Sequence, residues 1–152
     1  MNFKVIAFLI LNICALVIGS FLMDGGPQSE WYQTLNKAPW TPPGWVFGAA
    51  WSIIMVCFSF YMANLWATVK NKKILIYLYA LQWVLNVGWN PTFFYYEQVL
   101  TGFIVIIGLT VLIGFILISY WTKLKLNSVL ILPYLIWLLI ATSLNGYILF
   151  NN

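Results

Sequence analysis

The chain contains no histidine and no arginine, and only 7% of its 152 residues are charged. A soluble domain carries about 25% charged residues, so water cannot surround most of this surface and lipid must. Without histidine, the commonest ligand of transition metals and a frequent ligand of haem iron is missing. The three acids lie apart, at the ends of apolar runs, so paired-carboxylate or metal catalysis is not expected.

Cysteine is almost as scarce. Cys14 and Cys57 stand alone in apolar runs, which favours small buried hydrophobic residues over a disulfide or a metal site. The seven lysines form no basic face interleaved with aromatic residues, so nucleic-acid binding is not expected.

What the chain has in abundance is long uncharged sequence. Five such runs each hold the ~20 apolar residues that cross a bilayer as a helix. The first is too long for the apolar core of a signal peptide and lacks a clear cleavage site, so we expect a retained helix. The sequence predicts an all-α membrane protein: one domain over residues 1–152, built as a five-transmembrane-helix bundle with helices at about 5–23, 44–69, 74–94, 98–121 and 128–150.

The lysines predict the orientation. Five crossings put six of the seven lysines on one side with no acid, and Lys37 on the other side with all three acids. Because basic loops stay in the cytoplasm, the N-terminus is expected inside and the C-terminus outside. This lysine-only chain without an organelle-targeting extension favours a bacterial cytoplasmic membrane.

The connection at 24–43 is unusual in composition. Its second half and the start of the second helix make up the stretch Trp31–Trp51, which contains four tryptophans and three prolines. Proline fixes the backbone and excludes regular structure. We expect a rigid lid over a pocket, on the outer side of the membrane.

The third predicted helix carries a polar stripe. Gln82, Asn86 and Asn90 repeat every four residues, with Trp89 beside them. Carboxamides are costly in lipid, so this face must point into the bundle. Two interpretations stay open: the side chains bond one helix to another, or they line a mostly apolar pocket with tryptophans 51, 89 and 137.

The other helices give weaker expectations. Asn12 and Gly19 share a face of the first helix that suits close helix contact. Gly44 and Gly48 match a small-residue contact pattern, for use within the chain or in a dimer. The fourth helix is nearly pure aliphatic, and we expect it to face lipid or another subunit. Residues 93–96, Phe-Phe-Tyr-Tyr, are expected to form an aromatic belt at the membrane interface.

Three blocks of sequence carry a family resemblance. The first is Trp31-Tyr32-x-x-Leu35-x-Lys37-x-Pro39-Trp40-x-Pro42-Pro43-x-Trp45-Val46-x-Gly48-x-x-Trp51, the second Leu85-Asn86-x-x-Trp89-x-x-x-Phe93-Phe94, and the third Pro133-Tyr134-x-x-Trp137 with Ala141-Thr142-Ser143-Leu144-Asn145. In order and over nearly the whole chain, they resemble the translocator protein / tryptophan-rich sensory protein family, also called peripheral-type benzodiazepine receptors.

The resemblance implies five transmembrane helices, a homodimer and a ligand cavity under the first loop. It implies binding of porphyrins, either protoporphyrin IX or haem, and of isoquinoline carboxamide and benzodiazepine drugs. Carried over by position, it implies ten ligand-binding residues: Tyr32, Pro42, Phe47, Trp51, Asn86, Trp89, Asn90, Trp137, Ala141 and Leu144.

Three functions follow as hypotheses. The first is a tetrapyrrole sensor or carrier that requires no cofactor, with metal-free porphyrin favoured because histidine is absent. The second, which the resemblance implies for a bacterial-type member, is light- and oxygen-dependent porphyrin breakdown with Trp51 and Trp137 as photochemical partners. The third is a structural or partner-regulating membrane protein. Cholesterol recognition is not expected, because Gly146 and Phe150 occupy the positions of the tyrosine and arginine in the animal motif.

Overall fold

A computed structural model describes residues 3–152. Five long helices and one short helix make up the fold, and no strand occurs among these residues. The helices are α1 (Phe3–Leu22), α2 (Glu30–Thr34), α3 (Gly44–Thr68), α4 (Lys72–Asn90), α5 (Val99–Leu124) and α6 (Leu132–Asn151). Two 3₁₀ segments, Gly26–Gln28 and Lys125–Ile131, and a π-helical turn, Pro91–Tyr95, join them. The five predicted long helices are therefore present.

Two prolines account for the main differences in helix bounds. The third helix was predicted to run to residue 94, but α4 ends at Asn90, because Pro91 lacks the N–H that would continue the helix and a π turn follows. The fifth was predicted to begin at 128, but α6 begins at Leu132, with Pro133 in its first turn, after the 3₁₀ segment.

Membrane character is clearest in four of the five long helices. Three stretches are long and apolar enough to cross a membrane: Phe3–Gln28, Gly44–Thr68 and Val99–Asn151, the last of which contains both α5 and α6. Helix α4 is more polar, since it begins with two lysines and carries the carboxamide stripe. One face of α4 is buried against α1 and α5, and the opposite face, with Tyr77 and Val84, is exposed.

A buried polar cluster joins α1, α3 and α4. The Asn12 side chain donates to the Ser59 hydroxyl at 2.8 Å and to the Met55 carbonyl at 3.3 Å, and the Tyr79 hydroxyl donates to Asn12 at 2.7 Å. The predicted contact face of the first helix is confirmed: both Asn12 and Gly19 are buried. An added Cβ at Gly19 would lie 2.7 Å from the Asn90 side-chain nitrogen, so α1 and α4 approach closely here.

The prediction that the fourth helix faces only lipid or another subunit was wrong. One face of α5 is among the most buried in the protein, with Ile106, Leu109 and Ile113 at 1% exposure or less, packed against α4 and α6. The opposite face, with Ile104 and Ile118, is exposed. Aliphatic residues suit both lipid and a protein core, so composition could not separate the two faces.

The predicted aromatic belt was half wrong. Tyr95 and Tyr96 are exposed, but Phe93 and Phe94 are buried in the core. Gly102 of α5 makes room for Phe93, because an added Cβ there would lie 3.0 Å from the Phe93 ring. No atom lies within 4 Å of the corresponding position at Gly44 or Gly48, so this pair makes no close contact within residues 3–152.

The cysteines also differ in part from expectation. Both are free thiols, but Cys14 is exposed on the outside of α1 and Cys57 is half-buried. Cys14 therefore lies on an apolar outer surface, where a small hydrophobic residue is as well accommodated as in the core.

Candidate functional site: an aromatic cavity under a clamped lid

The lid begins with a tight turn after α1. Gly25 and Gly26 adopt positive φ angles of 83° and 52°, which glycine accepts without steric cost. Ser29 then caps α2, and its hydroxyl accepts a hydrogen bond from the Tyr32 amide at 3.2 Å, as expected for an N-cap. This turn directs Tyr32 inward, where it is buried.

Two sets of contacts attach the lid to α6. The Asn36 amide donates to the Asn152 side-chain oxygen at 2.7 Å, and the Asn152 side-chain nitrogen donates back to the Asn36 carbonyl at 3.2 Å. The Trp40 indole donates to the Ser143 hydroxyl at 3.2 Å and packs edge-on against Tyr147. The lid is therefore clamped over the end of the bundle at which α6 ends.

A small cavity lies beneath the lid. This closed cavity has a volume of about 20 Å³, room for about one water molecule. The lid and every long helix but α1 contribute to its wall, including Tyr32 of the lid, Trp51 of α3, Trp89 of α4 and Trp137 of α6. The cavity is small because aromatic rings fill the space.

The rings that line the closed cavity contact one another, or a ring packed behind them, edge-on or stacked. The ring centroids of Phe47 and Trp137 are 5.4 Å apart at 85°, and those of Trp89 and Phe93 are 5.4 Å apart at 13°. Trp51 lies edge-on to Tyr134 at 5.7 Å. These are favourable geometries for aromatic pairs, so each contact stabilises the packing of the rings.

A larger groove adjoins the closed cavity. This side groove has a volume of about 510 Å³ and lies between α1, α3 and α4. Phe47, Trp51, Trp89 and Phe94 line both spaces and form the wall between them. The volume lies within the roughly 300–1,000 Å³ of small-molecule sites.

A shallow depression, the outer depression, lies on the lid and has a volume of about 650 Å³. Phe47 and Tyr32 reach it from below, and Lys37 lies on its rim. The Lys37 ammonium donates to the Tyr32 and Gln33 carbonyls at 3.2 and 3.3 Å, where α2 ends. It also lies 5.1 Å from the Tyr32 ring centroid. Burial raises the pKa of the Tyr32 phenol, which therefore stays neutral.

A match over nearly the whole chain identifies the family. A model of the TspO/MBR family matches residues 7–150. The chain belongs to this family.

Relatives come from bacteria and animals. The chain is 33% identical over 129 residues to the tryptophan-rich protein TspO of Chlorobaculum tepidum, covering 83% of this chain and 82% of that protein. It is 34% identical over 119 residues to the tryptophan-rich sensory protein of Cereibacter sphaeroides, covering 76% and 73%. It is 30% identical over 125 residues to the translocator protein of Ovis aries, covering 79% and 73%.

Nine of the ten residues that the family resemblance pointed to line one or both of the two adjoining spaces. Phe47, Trp51 and Trp89 line both the side groove and the closed cavity. Asn86 and Asn90 line the side groove, and the closed cavity takes the remaining four, Tyr32, Trp137, Ala141 and Leu144. Pro42 stands apart and lines only the outer depression.

The carboxamide stripe divides between the two interpretations left open from sequence. Gln82 bonds one helix to another, since its nitrogen donates to the Tyr134 hydroxyl of α6 at 2.8 Å. Asn86 and Asn90 instead line the side groove, and the Asn90 side chain donates to the Asn86 carbonyl at 3.1 Å. Each interpretation therefore holds for part of the stripe.

Several wall residues were missed from sequence. Phe94 was assigned to the interface, and Asn145 was named in the third family block but not among the site residues, although both line the closed cavity. Leu16 and Ser20 of α1 line the side groove and gave no signal, because aliphatic and small residues of a membrane helix look the same on every face. For Asn145 a signal existed: an asparagine in an apolar helix needs a buried partner.

No group of three or more Cys, Asp or Glu side chains that could hold a metal occurs in the described part of the family fold, residues 3–152. The side groove and the closed cavity are lined by aromatic rings and by the carboxamides of Asn86, Asn90 and Asn145. They can stack on a flat ring system and donate hydrogen bonds to its polar edge.

Proposed function

We propose that the chain is an integral membrane protein that binds a tetrapyrrole, as a sensor or carrier, in the side groove and the closed cavity together. One observation carries the proposal: Phe47, Trp51, Trp89 and Phe94 line both spaces and so form an aromatic wall between them. A flat apolar ring system stacks well on such a wall, and four ring faces supply far more contact than one.

The polar groups around this wall suit the edge of a porphyrin. Asn86 and Asn90 carry side-chain donors that would meet the carboxylates of the propionates. Lys37 on the outer depression supplies the one lysine at this end of the bundle. Its ammonium already binds carbonyls at the end of α2, so a propionate would add to those contacts.

Ligand entry requires the closed cavity to expand. A volume of about 20 Å³ excludes any ring, whereas the side groove of about 510 Å³ has room for a large part of one. The Phe47 and Trp51 rings stand between the two spaces. Rotation of these two side chains would join the spaces under the clamped lid.

The preferred ligand is a metal-free porphyrin. Histidine is absent from the sequence, and the aromatic wall offers ring faces rather than iron ligands. Haem would be held by stacking alone. Isoquinoline carboxamide and benzodiazepine drugs share the flat aromatic character and would compete for the same wall.

The lysines support an orientation with the lid outside. Lys4, Lys70 and Lys123 lie at the end where α1 begins and α3 and α5 end, and the three acids are in the connections at the other end. We therefore place the N-terminus in the cytoplasm and the C-terminus outside, in a bacterial cytoplasmic membrane. A homodimer would use exposed apolar faces such as that of α5.

Light- and oxygen-dependent porphyrin breakdown is a second candidate function. The observation that favours it is the contact of Trp51 with Tyr134, because both side chains can be oxidised and Trp51 forms part of the aromatic wall. The bound porphyrin would absorb the light, oxygen would be the oxidant, and the protein would hold the ring beside these side chains.

One titration tests both candidates. Protoporphyrin IX is added to the purified protein in detergent and tryptophan fluorescence is followed, after which the complex is illuminated in air. We expect saturable quenching. An absence of saturable quenching would remove both functions, whereas saturable quenching with bleaching no faster than that of free porphyrin in detergent would leave binding and remove breakdown.

A further inference from the structure

A second groove lies at the opposite end of the bundle from the lid. This basal groove has a volume of about 420 Å³, runs between α1, α3 and α4, and shares no lining residue with the candidate site. Exposed apolar side chains, including Phe3 and Ile76, line its opening. In a membrane, this opening faces the acyl chains of the nearer leaflet.

The floor of the basal groove is mostly aromatic and aliphatic, and its one hydroxyl group, that of Tyr79, is paired. Phe8 lies edge-on to Tyr79 at 5.1 Å and to Trp66 at 6.2 Å. The Tyr79 hydroxyl donates to Asn12, so it offers no free donor to a polar guest. Water needs two to four polar partners to occupy a cavity stably, and this floor does not supply them. A hydrocarbon chain needs none.

The rim of the basal groove is positively charged. Lys4 lines it directly. The Lys72 ammonium lies 5.3 Å from the ring centroid of Trp66, which is a lining residue, and donates to the Trp66 and Val69 carbonyls. Six of the seven lysines lie at this end of the bundle, and the three acids lie at the other. The basal groove, with its apolar floor and basic rim, is therefore complementary to a lipid with an anionic head group.

We propose that the basal groove binds one anionic phospholipid from the leaflet at the lysine end. One acyl chain lies along Ala7, Phe8 and Trp66, and the phosphate contacts Lys4. The lipid fills the space between α1 and its two neighbours, and so holds α1 against α3 and α4. This site is independent of the proposed tetrapyrrole binding.

Native mass spectrometry in detergent tests the proposal. Phosphatidylglycerol and phosphatidylcholine with the same acyl chains are titrated separately against the full chain. We expect one saturable phosphatidylglycerol site, filled about fivefold more tightly than by phosphatidylcholine, since each lysine near an anionic surface contributes about 1 kcal/mol. Equal affinity for the two lipids would overturn the proposal.

Matched lysine variants locate the site. Lys4→Gln should abolish most of the preference for phosphatidylglycerol and leave binding of phosphatidylcholine unchanged. Lys73→Gln removes the same charge from the same end, but Lys73 is exposed and does not line the groove, so the preference should persist. An equal loss of preference in both variants would mean diffuse attraction to the lysine end and would contradict a defined site.

A filling substitution tests the acyl-chain part. Ala7→Phe should place a ring in the basal groove and weaken both lipids about tenfold or more, with the rise in Tm on adding phosphatidylglycerol lost as well. If Ala7→Phe does not fold, Lys4→Gln still decides the matter, because it changes only an end group. Unchanged lipid affinity in folded Ala7→Phe protein would overturn the proposed position of the chain.

Discussion

The indole nitrogen of Trp89 donates a hydrogen bond to the side-chain oxygen of Asn145 at 3.3 Å. Both side chains are buried, and the bond joins α4 to α6 across the closed cavity. The Asn145 nitrogen is also paired, with the Ala141 carbonyl at 3.0 Å. Asn145 therefore fixes the orientation of a ring that lines both the side groove and the closed cavity.

Replacing Asn145 tests this relationship. Asn145→Leu keeps the volume but leaves the buried Trp89 N–H without its partner, which costs about 1–3 kcal/mol. We expect a lower Tm in detergent and weaker porphyrin binding. Asn151→Leu is the control, because Asn151 is exposed and its side-chain nitrogen donates only to the Tyr147 carbonyl of its own helix. Equal Tm losses in both variants would count against a special role for Asn145.

Two serines of α3 provide a test and a control for the polar cluster around Asn12. Ser59 is buried and accepts a hydrogen bond from Asn12 of α1, whereas Ser52 is exposed and donates only to the Gly48 carbonyl. Ser59→Ala should lower the free energy of unfolding by about 0.5–2 kcal/mol, the range for hydrogen bonds between membrane helices. Ser52→Ala should change it little. The comparison is made by thermal unfolding in one detergent, and a larger loss for Ser52→Ala would refute this role of the cluster.

The lid contacts predict an effect on ligand exchange. Trp40→Phe keeps an aromatic ring against Tyr147 but removes the hydrogen bond to Ser143, worth about 0.5–1.5 kcal/mol. We expect porphyrin to dissociate severalfold faster in stopped-flow measurements. Trp45→Phe is the control, at the start of α3 next to the lid, because Trp45 is exposed and makes no hydrogen bond through its side chain. An unchanged dissociation rate in Trp40→Phe would show that the lid does not limit release.

Illumination separates binding from breakdown. If Trp51 and Tyr134 take part in photochemistry, Tyr134→Phe should slow bleaching of bound porphyrin while leaving the affinity unchanged. The reason is that Tyr134 contacts Trp51 edge-on but does not line the closed cavity or the side groove. The measurement is the decay of the porphyrin absorption band in air. Bleaching at the unaltered rate would remove Tyr134 from the reaction.

The polar residues made most of the fold predictable. Lysines at the ends of uncharged runs marked the five long helices, whereas the predicted end of the third helix at residue 94 overran Pro91 and the end of α4 at Asn90. The burial of Asn12 followed from the face that it shares with Gly19, which suits close helix contact. Burial of Phe93 and of the inner face of α5 did not follow, because lipid and protein core select the same apolar residues.

Most of the residues of the candidate site were predicted from the family resemblance. The shape of the site could not be predicted from residue types or from their spacing. The side chains of Phe47, Trp51, Trp89 and Phe94 separate the closed cavity from the side groove, and no sequence pattern specifies how these rings are turned. Helix α1 contributes one wall of the side groove through residues such as Leu16. Such residues carry no chemical signal, so the sequence pointed only to the other walls.

The affinity of two tryptophan variants for protoporphyrin IX tests the central claim most directly. Trp51 lies in the aromatic wall, and Trp121 is an exposed tryptophan near the end of α5, at the lysine end. We predict saturable binding by the unaltered protein, at least about tenfold weaker binding by Trp51→Ala, and no change in Trp121→Ala. Equal affinities for all three proteins would contradict a tetrapyrrole site at the aromatic wall.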